Sequence, residues 1–80
     1  MNKTFIIGEE YQVLNVKESM SWSNTLKCVS RSEDMIEFEE LDGNDNMCGC
    51  YNLFIKKKSI GFSDYVEYCE VTADCIVQAD

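Results

Sequence analysis

The stretch Met35-Ile36-Glu37-Phe38-Glu39-Glu40-Leu41 places apolar Ile36 and Phe38 between acidic Glu37 and Glu39, a period of two. An extended chain sends successive side chains to opposite faces, so Ile36 and Phe38 are expected inside, with the glutamates in water. Glu37 and Glu39 then share one face about 7 Å apart, from a rise of ~3.4 Å per residue. Just upstream, Thr25-Leu26-Lys27-Cys28-Val29-Ser30 alternates in the same way and is rich in strand formers. The link Arg31-Ser32-Glu33-Asp34 is short and polar, so the two runs read as a hairpin. Tyr11-Gln12-Val13-Leu14-Asn15-Val16 reads as a third strand, with Gly8 before it as a bulge or turn.

Downstream, Asp42-Gly43-Asn44-Asp45-Asn46 is a dense cluster of turn formers. Tyr51-Asn52-Leu53-Phe54-Ile55-Lys56 follows as a fourth strand, and Gly61 breaks the chain. The segment 64–78 reads two ways. As a helix, Asp64 and Glu67 resemble a capping box, with Val66, Cys69, Ala73, Ile76 and Val77 on one face. As strands, Tyr65 to Thr72 is crowded with β-branched and aromatic residues, and Ala73-Asp74 turns into a short final strand, Ile76-Val77-Gln78. The composition favours the strands. The expected fold is mainly β, a small antiparallel barrel of about five strands; the alternative is α+β with a C-terminal helix at 64–78.

Eighty residues are enough for a single domain, residues 1–80, with a thin core. An apolar fraction of 45% and a charged fraction of 28% are those of a globular chain. Fifteen acidic against seven basic residues leave a net charge of −8. Direct binding to nucleic acid or to an anionic membrane needs cations facing phosphate, so neither is expected. There is no histidine, which excludes Ser-His-Asp and Cys-His catalysis and the usual zinc hydrolase ligand sets. Cysteine thiols have no imidazole base, and a chain of this size offers little room for a deep substrate pocket. The expectation is a protein that is not an enzyme and carries no cofactor.

Phe5-Ile6-Ile7 is too short for the apolar core of a secretory signal, and no run approaches the ~18 apolar residues of a transmembrane helix. A cytoplasmic protein with reduced thiols is expected. The five cysteines are Cys28, Cys48, Cys50, Cys69 and Cys75. Free cysteine serves as a small buried apolar side chain. A zinc site from Cys48, Cys50, Cys69 and Cys75 is the rival, but one pair is split by a single glycine and the other by five residues. Zinc knuckles are spaced differently, so no metal is expected.

Five short strands in such a chain, with a long first loop and a tight turn before the last strand, resemble an SH3-like barrel. The run from Thr25 to Phe38 resembles the central hairpin of small proteins encoded by Gram-positive bacteria and their phages, and Tyr68 to Val77 is similar to their last strand pair. The resemblance spans residues 11 to 78 and implies the fold. The Ala-Leu-Tyr-Asp-Tyr-type segment of proline-binding SH3 domains is missing, so peptide binding of that kind does not carry over.

The densest charge lies between Glu33 and Asp45: Glu33, Asp34, Glu37, Glu39, Glu40, Asp42 and Asp45, with no basic residue among them. Charge runs usually form a solvated face that keeps a small protein soluble. The functional alternative is a landing surface for a protein with a basic surface, since carboxylates along a strand imitate a row of phosphates. Asp42 to Asn46 is no calcium loop, because the sixth position is Met47 and the twelfth Leu53. Lys56-Lys57-Lys58 reads as an edge strand guarded by lysines. Trp22 lies in the polar stretch Lys17 to Asn24, taken as a loop, either capping an open barrel end or serving as a contact anchor. The candidate partner-binding residues are therefore Trp22, Glu37, Glu39, Glu40, Asp42 and Asp45. They suggest an acidic interaction module, of the kind a phage or mobile element uses to bind and block a basic, nucleic-acid-handling protein. The alternative is a structural barrel subunit that docks into a larger assembly, its oligomeric state open.

Overall fold

The computed structural model describes residues 1–80 and contains strands, turns and bends but no helix. The strands are β1 (Glu10–Asn15), β2 (Met20–Arg31), β3 (Met35–Leu41), β4 (Met47–Phe54), β5 (Lys56–Ser59), β6 (Tyr65–Glu70) and β7 (Cys75–Gln78). They form one antiparallel sheet in the order β4-β3-β2-β1-β7-β6-β5, curled into a half-barrel. The two edge strands, β4 and β5, are separated in the chain by Ile55 alone. The sheet must therefore curl until its edges approach at that end. No helix is long and apolar enough to cross a membrane.

The mainly β expectation holds, and the C-terminal helix at 64–78 does not form. β6 and β7 occupy that segment, joined by a turn whose Val71 and Thr72 amides both donate to the Cys75 carbonyl. Seven strands stand where about five were expected. The long first loop is absent: Val16 to Ser19 make a tight turn, with Ser19 in the left-handed region at φ 56°. Asn15 Oδ1 supports it by accepting from the Lys17 and Glu18 amides, each at 3.0 Å. Arg31 closes β2 and is not part of the link. The fourth expected strand is two, because β4 ends at Phe54 and the lysines form the exposed edge strand β5.

Burial follows the alternation. Tyr11 and Val13 of β1, Leu26 and Cys28 of β2, Ile36 and Phe38 of β3, Cys69 of β6 and Val77 of β7 line the concave side. Phe5, from the segment before β1, packs edge-on against Tyr11 and Phe38 with centroids at 5.0 and 5.4 Å. This segment is held by β-type bonds, the Lys3 amide donating to Tyr65 O and the Glu67 amide to Lys3 O, both at 2.9 Å. Phe5 thereby covers the mouth of the curl, where an open sheet would leave the core wet.

One charged pair lies inside. Glu67 is 2% exposed and receives Arg31 Nη1 at 2.6 Å and Arg31 Nη2 at 2.9 Å. The Phe5 amide also donates to Glu67 Oε1 at 2.8 Å, and Arg31 Nη1 donates to the Phe5 carbonyl at 2.9 Å. No buried side-chain polar atom is left without a partner. That satisfaction is what allows ions in so small a core.

Candidate functional site

The β3 alternation divides its own glutamates. Glu37 and Glu39 lie on the convex face, opposite Asn52 and Cys50 of β4. Each is half-buried among neighbouring side chains, less free than the alternation alone implied. Ser30 Oγ donates to Glu37 Oε1 at 3.1 Å, and Glu39 lies opposite Lys27 in the β2–β3 register. No ion pair forms there: the chain's salt bridges are Arg31–Glu67, Lys56–Glu70 and the N-terminal ammonium with Asp64. None of the seven carboxylates between Glu33 and Asp45 is neutralised by a cation.

Glu40 is elsewhere. It pairs with Leu26 and Gly49 on the concave side, where the core runs out toward the open end of the half-barrel. Trp22 and Asn24 precede Leu26 at two-residue steps along β2 and line the same end, and Tyr51 faces them from β4. These residues, with Ser23, enclose an open groove of about 450 Å³. Tyr51 Oη donates to Glu40 Oε1 at 3.0 Å and Asn24 Nδ2 to Glu40 Oε2 at 2.7 Å. The Trp22 and Tyr51 rings have centroids 6.4 Å apart at a tilt of 53°, forming a corner. A Cβ at Gly49 would come within 3.3 Å of Glu40 Oε1, so the glycine leaves room for the carboxylate. Burial, then the hydrogen bond and charge of Glu40, push the Tyr51 phenol above its ordinary range.

Trp22 is a strand residue packed against the core edge, not a loop residue; the expectation of a loop from Lys17 to Asn24 is corrected from Met20 onward. Gln12 Nε2 donates to the carbonyls of Trp22 and Asn24 and ties this part of β2 to β1. Asp42 and Asp45 sit in the β3–β4 turn. Asp42 Oδ1 accepts from the Asn44 and Asn46 amides at 2.8 and 3.1 Å, so this carboxylate shapes the turn. Asp45 occupies the left-handed region at φ 61°, which aspartate tolerates better than most residues. The six sequence candidates thus separate into a convex pair, a groove pair and a turn pair.

Tyr51 and Asn24 complete the groove and were not read from the sequence. Their signal was available: Trp22, Asn24, Leu26 and Cys28 keep one parity, as do Gly49, Tyr51 and Leu53. Three cysteines, Cys28, Cys69 and Cys75, are buried, while Cys48 and Cys50 are exposed. No cluster of side chains is arranged to hold a metal ion. No family model, curated protein or solved structure matches the chain.

Proposed function

We propose that the protein is a non-enzymatic, acidic interaction module that binds a basic, nucleic-acid-handling protein and blocks its cationic surface. The carrying observation is that Glu33, Asp34, Glu37, Glu39, Glu40, Asp42 and Asp45 are gathered on β3 and its flanking turns without one ion pair. A curled sheet is a stiff support, and carboxylates fixed along it keep their spacing when a partner approaches. Their field steers a cationic surface toward β3 and repels nucleic acid and anionic lipid. Within this proposal the module works in the cytoplasm, and its likeness to SH3-like barrels concerns the scaffold only.

Affinity capture at low salt, with wild type and the Glu37→Lys/Glu39→Lys variant as parallel baits, tests the reading. A basic protein recovered by the first and lost from the second is expected. The same proteins on both baits would overturn it.

A second reading, a subunit that docks into a larger assembly, is favoured by β4. This edge strand, Met47-Cys48-Gly49-Cys50-Tyr51-Asn52-Leu53-Phe54, carries no charge, whereas β5 at the other edge has three exposed lysines. Unguarded edges accept another strand. Concentration-dependent self-association in sedimentation would support this reading against the first.

A further inference from the structure

We infer that the groove between Trp22, Tyr51 and Glu40 is the seat for a single arginine side chain of the basic partner; this rests on the functional reading above and adds the contact that confers specificity. Long-range charge does not distinguish lysine from arginine. The groove does.

Its walls are two aromatic rings meeting at 53°, and its polar group is a half-buried carboxylate. A planar guanidinium stacks on an indole face, and cations are attracted to the negative face of aromatic rings. Glu40 is held at both oxygens, by Tyr51 Oη at 3.0 Å and Asn24 Nδ2 at 2.7 Å, so its plane is fixed before any ligand arrives. Each carboxylate oxygen accepts more than one bond, which leaves acceptor capacity for a fork of two N–H donors. An ammonium is a point charge that neither stacks nor bonds bidentately. No cation of the protein itself occupies the site, because Glu40 forms no salt bridge. Charge complementarity therefore selects the occupant: an aromatic corner and an unneutralised carboxylate on a chain of net charge −8 suit a cation.

The test uses two capped peptides of equal length and charge, one oligoarginine and one oligolysine. Trp22 is the only tryptophan, so its emission reports the groove directly. Expected is saturable change of Trp22 emission with oligoarginine, with nuclear magnetic resonance shifts at the Trp22 indole and Tyr51 ring, and weaker binding of oligolysine without those shifts. Glu40→Gln, which removes the charge and turns one acceptor oxygen into an N–H donor, should weaken oligoarginine about tenfold, the scale of a lost charge-assisted pair. Glu9→Gln removes the same charge from an exposed position outside both the acidic stretch and the groove and should leave the arginine preference intact. If both peptides bind equally and Trp22 does not respond, the groove assignment is overturned while the acidic face stands. If neither peptide binds at any salt concentration, the functional reading falls and the groove with it.

Discussion

Arg31 and Glu67, 36 residues apart, meet in two parallel bonds of 2.6 and 2.9 Å and join the end of β2 to β6 across the concave side. The pair also holds both polar groups of Phe5, whose amide donates to Glu67 and whose carbonyl accepts from Arg31. A single ionic node thus ties the segment before β1 to both walls of the curl.

Removing one partner should be costly. Glu67→Ala would strand the largely buried Arg31 guanidinium and free the Phe5 amide, with an expected loss of about 3 kcal/mol in urea unfolding. Arg31→Met should lose a similar amount. A change below about 1 kcal/mol in both would mean that the node is not structural.

Acid should act through the same carboxyl. Burial pushes Glu67 up, but the Arg31 bonds, the Phe5 amide and the nearby positive charges outweigh it and hold the group below the usual carboxylate range. Its folded value is thus depressed, so its contribution is present above about pH 4.3 and fades as pH falls through the folded value. Glu67→Gln should flatten this part of the acid limb of a stability–pH curve. An unchanged limb would contradict the assignment.

The thiols should divide by location. Cys48 and Cys50 are expected to react with a thiol reagent in the native protein, and Cys28, Cys69 and Cys75 only on unfolding. Burial, and then the Glu67 charge, push the Cys69 thiol up to about 12. Because that folded value is raised, its stabilising share persists below the free thiol value of about 8.5 and is lost as pH climbs toward the folded one. Fast native labelling of Cys69 would contradict its place in the core.

Phe5 offers a third check on the closure of the curl. Phe5→Ala removes a 2% exposed ring that packs on Tyr11 and Phe38, and should cost about 3–5 kcal/mol. Thermal unfolding reads this directly, and an unchanged midpoint would place the ring outside the core.

Local alternation made the centre of the sheet legible. Ile36 and Phe38 announced the buried face of β3, and Leu26 and Cys28 that of its partner. The failures have separate physical causes. Serines flanking Trp22 suggested a loop, although a strand with one wet face tolerates them at Ser21 and Ser23. The lysines were read as guarding an edge strand and do guard one, but β5 has no buried position, so no period marks it off from β4. The fourth strand was expected from Tyr51, whereas β4 begins at Met47 and includes Gly49, which makes space for Glu40. Arg31 with Glu67 and Phe5 with Phe38 join distant segments, and no local pattern encodes such meetings. At the site, Glu37 and Glu39 were placed on a common face correctly. The opposite side of Glu40 was written in the same alternation but masked by its acidic neighbour.

The most direct measurement is the association rate of the captured basic partner with wild type and with Glu37→Lys/Glu39→Lys, taken across a range of salt. The Debye length shrinks from about 10 Å at 0.1 M to about 3 Å at 1 M, so steering by the convex carboxylates should fade over that range. Expected is a wild-type on-rate that falls steeply with salt, and a variant that associates slowly at low salt with a much flatter dependence. Equal on-rates for the two proteins at every salt concentration would contradict the claim that the acidic face engages the partner.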